Sequence, residues 1–142
     1  EFARYGVMHK NTYVNGPKLL NNEFALRAHP DVYLAGQLTG VEGYIESTAS
    51  GLLAGLSAAC RVLGTNFPTF STKTALGALS AYVSSSPTTN YQPMHINFGL
   101  IDPPERRIRK KAEKNLYLAE RALREIDQLK EDFSDLWKGE TL

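Results

Sequence analysis

The sequence predicts an α/β fold with short strands, a glycine-rich strand-to-helix turn and a long C-terminal helix. Three observations predict it. The brief apolar run Val32-Tyr33-Leu34-Ala35, bounded by turn residues, reads as a buried strand. Directly after it, Gly36-Gln37-Leu38-Thr39-Gly40-Val41-Glu42-Gly43-Tyr44-Ile45-Glu46-Ser47 carries three glycines into a helical pattern that Gly64 ends. A second helical pattern opens at Asp102-Pro103-Pro104-Glu105, with Asp at N-cap, Pro at N1 and Glu at N3.

Taken in order, Phe2 to Val14 is rich in aromatic and β-branched residues and reads as one or two strands broken near Gly6, closed by the turn Asn15-Gly16-Pro17. Leu19 to Asn22 is an irregular link. Phe24-Ala25-Leu26-Arg27 reads as another strand, ended by His29-Pro30-Asp31. The helix from about Ile45 to Leu63 places Ser47, Gly51, Gly55 and Ala58 on one face, a flat surface for a neighbouring strand or a cofactor. Each internal glycine costs roughly 1 kcal/mol against alanine, so close packing should compensate. Thr65 to Lys73 is a loop, Thr74 to Val83 a short helix, and Ser84 to Asn90 a polar surface loop. Tyr91 to Leu100 is extended. The last helix should run to about Trp137 on a stripe of Ile108, Ala112, Leu116, Ala119, Leu123, Ile126, Leu129, Phe133 and Leu136.

Composition bounds the function classes. At 142 residues one core is expected, and a formal net charge of +1 makes no whole-chain case for nucleic acid, leaving only local patches. The single cysteine, Cys60, cannot form an internal disulfide, which fits a reducing compartment. No apolar run approaches the roughly 18–20 residues that span a bilayer, and no signal peptide is evident, so a cytoplasmic protein with no membrane partner is expected. The chain lacks an initiator Met and enters strand-like sequence at Phe2-Ala3-Arg4-Tyr5, so a piece of a larger protein is expected.

The turn carries the chemistry. Glycines let a ligand approach the backbone, and the free N–H groups of the new helix favour an electron-rich or anionic partner, a flavin ring edge among them. A flavin- or NAD-binding domain normally opens with GxGxxG after its first strand, and this chain has none. It has instead what would be the far end of such a domain. Packing of helix on sheet explains Gly51 and Gly55 equally well.

The segments Arg4-Tyr5-Gly6-Val7-Met8-His9-Lys10-Asn11-Thr12-Tyr13, Leu34 to Tyr44, and Gln92-Pro93-Met94-His95-Ile96-Asn97-Phe98-Gly99-Leu100 stand in an order that resembles the bacterial folate- and FAD-dependent tRNA (uracil-5-)-methyltransferases. The resemblance covers nearly the whole chain and corresponds to roughly the C-terminal third of such an enzyme. A sister family, the flavoproteins that install carboxymethylaminomethyl groups on wobble uridine, shares part of the turn pattern. Thr39-Gly40-Val41-Glu42 and Pro93-Met94 with Asn97-Phe98-Gly99 look like the methyltransferase instead.

The resemblance implies the C-terminal portion of a Rossmann-like FAD-binding domain. It also implies transfer of a methylene from methylenetetrahydrofolate to C5 of a T-loop uridine in tRNA, with FAD taking part in the carbon transfer and NAD(P)H as reductant. Gly36, Gln37, Thr39, Gly40, Val41, Glu42, Gly43 and Tyr44 would line the isoalloxazine, the helix amides lying near its N1/O2 edge. Related flavoproteins often carry Asp after the first glycine of this turn, binding the ribityl chain; Gln37 stands there instead. His9 matches the histidine that stacks with the folate pterin, and Tyr44 would pack near the same pocket. An ordinary strand histidine and a buried tyrosine are the competing readings.

Cys60 invites a nucleophile reading, since uracil C5 chemistry commonly uses a thiolate. It lies mid-helix after Ala58-Ala59 with no His or Lys at activating spacing, an inert setting. No catalytic residue and no metal site are expected in this stretch; the family's cysteines would lie upstream. Arg106, Arg107, Arg109, Lys110, Lys111 and Lys114 crowd the expected opening of the last helix, against the preference of its dipole, which contact with tRNA phosphates would offset. A solvated charged face explains them equally well.

The expected organisation is residues 1–30 as the tail of a substrate-side region, 31–101 as the closing part of the FAD-binding domain and 102–142 as a helical extension. Its partners would be tRNA and the N-terminal remainder of the enzyme. The piece alone should not methylate tRNA. A fragment of the wobble-uridine flavoprotein and a standalone RNA- or protein-binding module remain the alternatives.

Overall fold

A computed structural model describes residues 12–86, 89 and 91–134. The strands expected over Phe2 to Asn11, and His9 with them, lie outside the described residues, as do Leu136 and Trp137 at the expected helix end.

Four α-helices and one 3₁₀ turn carry the described residues: α1 (Gly16–Leu19), the 3₁₀ turn Gly36–Thr39, α2 (Tyr44–Leu63), α3 (Ala75–Ser85) and α4 (Lys111–Asp132). The mixed character expected from sequence is therefore weighted toward helix. Strand pairing among the described residues is confined to single bridges: Leu20 with Leu26 and Ala25 with Tyr33, both antiparallel, and Val41 with Met94, parallel. The buried strand expected at Val32 to Ala35 reduces to the Tyr33 bridge, because the chain turns into the 3₁₀ segment at Gly36.

One core joins α2 and α3 with the segments around them. Leu20, Phe24, Val41, Leu53, Ala54, Leu79 and Val83 are buried together, with Leu26, Tyr33, Leu34, Phe67, Phe70 and Ile96 packed around them. Phe24 sits at the tip of a tight turn with φ +61, while its ring is fully buried. Asn21 holds that turn: its carbonyl accepts the Phe24 N–H at 3.1 Å, and its side-chain oxygen accepts from Glu23 at 3.0 Å and Ala25 at 2.9 Å.

The middle helices form for the reasons their sequences give. Gly64 closes α2 in the left-handed conformation, φ +68, with its N–H returned to Arg61 and Cys60 carbonyls. Thr74 caps α3 by accepting the Gly77 N–H at 3.0 Å. The α2 face turned to the core carries Glu46, Ser50, Leu53, Ala54, Ser57 and Cys60. No helix among the described residues is long and apolar enough to cross a membrane.

The last helix differs from expectation twice. It begins at Lys111, and residues 102–110 are not helical. Pro103 and Pro104 each push the preceding residue out of the helical region. Asp102 does not cap: its carboxylate accepts from the Thr72 hydroxyl at 2.6 Å and its N–H donates to the Thr72 carbonyl at 3.1 Å. Glu105 turns to Tyr117 and Arg121 instead. The buried positions of α4 are Leu118 and Arg121, whereas Leu116 and Leu123 of the expected stripe are 61% and 66% exposed. Arg121 sets this rotation. Its guanidinium donates to the carbonyls of Pro103 (2.9 Å) and Asp102 and to Glu105 (3.1 Å), clasping the proline segment to the helix. Donation from the Tyr117 hydroxyl, then from its own backbone and from Arg121, pushes the Glu105 carboxyl down to about 2.

Candidate functional site

The turn feeding α2 is shaped by its glycines. Gly36, Gly40 and Gly43 all take positive φ, +65, +89 and +108. The Gly36 N–H donates to Ser50 Oγ at 2.7 Å, and the Thr39 hydroxyl donates back to the Gly36 carbonyl at 2.8 Å. The turn is thus tied at its start to the second turn of α2.

Behind the turn stands Tyr91. Its ring packs so closely on Gly40 that a Cβ there would fall inside it, and its hydroxyl donates to the Thr39 carbonyl at 2.9 Å. Tyr82 and Tyr13 flank this ring, with centroids 5.3 and 6.3 Å away. Burial, then the neighbouring Tyr82 and Tyr13, push the Tyr91 hydroxyl well above the usual phenol range.

The segment after Tyr91 runs beside the turn as a parallel partner: Glu42 N–H donates to the Met94 carbonyl (3.1 Å) and Met94 N–H to the Gly40 carbonyl (3.3 Å). That pairing carries His95 to the mouth of the turn. Glu46, in the first turn of α2, has a buried side chain that accepts the Ile96 N–H at 3.0 Å and faces His95 Nδ1 at 3.5 Å. Burial alone would raise its carboxyl, but its own N–H, the Ile96 N–H and His95 outweigh that and hold it below the ordinary value. Glu42 faces His95 Nε2 from the other side at 4.0 Å.

Between these parts lies an open concavity of about 600 Å³, lined by Gly36, Gln37, Glu42, Gly43, Tyr44, Ser47 and His95. It sits at the amino end of α2, where the first amide N–H groups have no partner within the helix. A Cβ on Gly36 would have only the Ser47 side chain near it, at 3.8 Å, so the backbone there is open to a ligand. Such a floor suits the flat, electron-rich edge of a ring that accepts hydrogen bonds.

Of the turn residues singled out from sequence, Gly36, Gln37, Glu42, Gly43 and Tyr44 line this concavity. Thr39, Gly40 and Val41 are buried and turn toward Tyr91 and the core. Tyr44 is 94% exposed, so the reading as a buried tyrosine does not hold. Cys60 is a buried free thiol about 24 Å further along the α2 axis. No cluster of metal-binding side chains occurs among the described residues. Arg106, Arg107, Arg109 and Lys110 precede α4 on the exposed segment, and only Lys111 and Lys114 belong to the helix, so the conflict with its dipole largely disappears. Sequence reasoning set Ser47 on the small-residue face offered to a strand or cofactor but did not assign His95 to this site. Ser47 was legible as the first small residue facing the turn; His95 arrives through a parallel bridge from fifty residues away, which periodicity cannot show.

A family model described as glucose inhibited division protein A matches residues 1–66. Among curated proteins, the chain is 51% identical over 132 residues to the methylenetetrahydrofolate–tRNA-(uracil-5-)-methyltransferase TrmFO of Desulfitobacterium hafniense, covering 92% of this chain and 30% of that protein. It is 51% identical over 128 residues to the protein of the same name from Natranaerobius thermophilus, covering 90% and 29%. For that of Lactiplantibacillus plantarum the identity is 46% over 132 residues, covering 93% and 30%. By sequence, the chain is similar to one stretch of these methylenetetrahydrofolate–tRNA-(uracil-5-)-methyltransferases. It spans about 30% of the length of the curated relatives it matches. What such a stretch contributes has to come from its own residues, and among the described residues the segments 34–44 and 92–100 meet at the α2 turn.

Proposed function

We propose that this chain is the closing part of a methylenetetrahydrofolate- and FAD-dependent tRNA (uracil-5-)-methyltransferase, the C-terminal portion of a Rossmann-like FAD-binding domain with a helical extension. One observation carries the reading: the turn shared with the family lines an open concavity at a helix amino end. When bound, FAD supplies electrons and takes part in the carbon transfer to uridine C5, and NAD(P)H restores it.

The chain's own residues bind and orient. The backbone of Gly36 and Gly43 forms the close approach, and the α2 amides face the electron-rich ring edge. The amide of Gln37, exposed at the rim, serves the ribityl chain. Tyr44 offers a free aromatic face to folate or to the substrate base. His9 keeps its assignment to folate on sequence grounds. Residues 1–30, 31–101 and 102–142 keep their assignments as substrate-side tail, closing FAD-binding part and extension.

Arg106, Arg107, Arg109, Lys110 and Lys111 are exposed, with the Arg106 guanidinium 6.0 Å from the Tyr117 ring centroid, and suit tRNA phosphates. The setting is a cytoplasmic enzyme working with its N-terminal remainder.

The test is methyl transfer from methylenetetrahydrofolate to T-loop uridine by the full-length protein, with FAD content measured alongside. Transfer is expected, and modification of wobble uridine instead would assign the chain to the sister flavoproteins. Exchange of Arg106, Arg107, Arg109 and Lys110 for Gln should lower the salt slope of tRNA binding by about one per lost phosphate contact. An unchanged slope would remove this patch from the tRNA interface.

A further inference from the structure

We propose that His95 is a ligand-contacting residue of the turn site, set in place by Glu46, and that it donates a hydrogen bond to the ring seated on the turn. The proposal rests on the FAD reading above and adds to it a residue from outside the glycine-rich turn, to which no role was assigned from sequence.

Four observations converge on it. The imidazole lines the concavity beside Gly36, Gln37, Gly43, Tyr44 and Ser47, with its side chain 62% exposed. Gly43 makes room for it, since a Cβ there would lie 2.9 Å from His95 Nδ1. Glu46 holds it from two directions, facing Nδ1 at 3.5 Å and fixing the next residue's backbone through the Ile96 N–H at 3.0 Å. The fourth is charge. The concavity carries the Glu42 carboxylate, with Glu46 buried behind His95, and no Lys or Arg stands among its described lining residues. An electron-rich ring placed there meets the Glu42 carboxylate, with only the helix amides and His95 to offset it.

With Nδ1–H turned to the Glu46 carboxylate, Nε2 is the nitrogen left for a ligand and donates in the doubly protonated form of the ring; its nearest competitor, Glu42, stands 4.0 Å away, beyond hydrogen-bonding distance. The arrangement links the turn to the Tyr91–Asn97 segment: a ring bound on the backbone of Gly36 and Gly43 would also touch the parallel segment through His95. Glu46 acts as a positioning residue and does not meet the ligand itself.

The experiment is titration of the flavin-free full-length protein with FAD, followed by flavin fluorescence and by the absorbance spectrum of the bound form. His95→Ala should weaken FAD binding by roughly tenfold or more, the size of a hydrogen bond from a group paired with a charge, and shift the bound spectrum. His95→Gln, which keeps an N–H donor, should recover part of both. Glu46→Gln should shift the spectrum in the same direction as His95→Ala by a smaller amount. Gly43→Ala is the companion that separates the two layers of the argument. If Gly43→Ala binds FAD as the unsubstituted protein does, the turn reading fails and the His95 proposal fails with it. If Gly43→Ala loses FAD while His95→Ala and His95→Gln keep unchanged affinity and spectrum, the turn stands and the His95 proposal alone is wrong. Should His95→Ala not fold, the Gln variant decides by the same two readouts.

Discussion

Gly40 and Gly43 in the turn, and Gly51 and Gly55 in the helix it feeds, are the same residue type under opposite constraints. In the turn both backbones are left-handed, and a Cβ would run into the Tyr91 ring at Gly40 and into Glu46 and His95 at Gly43. On α2 a Cβ at Gly51 or Gly55 would meet nothing within 4 Å. The first pair is demanded by this chain's own packing. The second is not, and it shares an outer helix surface with Leu52 and Val62, which are 57% and 87% exposed. Small residues with nothing yet on them are an opening for something else; small residues already filled are a fixed part of the scaffold.

That contrast breaks most sharply at Gly40. Gly40→Ala combines backbone strain with a collision against a buried ring, and should cost about 3 kcal/mol or more in urea unfolding. A loss below about 1 kcal/mol would mean that Tyr91 moves freely and the turn is not rigid.

The next effect is one of pH. The Tyr91 hydroxyl is held protonated in the folded state, so above the ordinary phenol value near 10 the unfolded chain binds fewer protons than the native one. Stability should therefore be full below about pH 10 and fall as pH climbs beyond it. Tyr91→Phe should flatten that fall while lowering stability at neutral pH by about 1–3 kcal/mol, because the Thr39 carbonyl loses its donor. Chemical denaturation at a series of pH values reads both; an equally steep alkaline loss in the Phe variant would place the cause elsewhere.

The smallest effect has the opposite sign. Gly51→Ala and Gly55→Ala should each raise the stability of the described fold by up to about 1 kcal/mol, since helix propensity improves and nothing is displaced. Destabilisation of the 142-residue chain by either change would show that the face is covered.

The same contrast explains what the sequence made legible. The ends of α2 and α3 were readable because Gly64 and Thr74 act on their own neighbours through local backbone bonds. The turn was readable because three glycines in eight residues have few structural meanings. The 102–110 segment was misread because Asp102 and Glu105 have the spelling of a helix cap, yet their carboxylates are claimed by Thr72, Tyr117 and Arg121. The α4 stripe was misread for a related reason. Leu116 and Leu123 recur at helical spacing, but Arg121, with three backbone and side-chain acceptors waiting for it, decides which face turns inward. Among the described residues the expected strands shrank to single bridges because pairing partners are a property of the whole chain, which alternation cannot supply.

Phe24 shows what such nonlocal claims mean for change over generations. Its φ of +61 asks for glycine, while its fully buried ring asks for a large apolar residue, and no amino acid answers both. Replacement by glycine would relax the backbone and empty the core; replacement by leucine would keep part of the filling and all of the strain. The position is caught between two optima, so improvement there would have to come by rebuilding the Asn21 turn around it rather than by any single exchange.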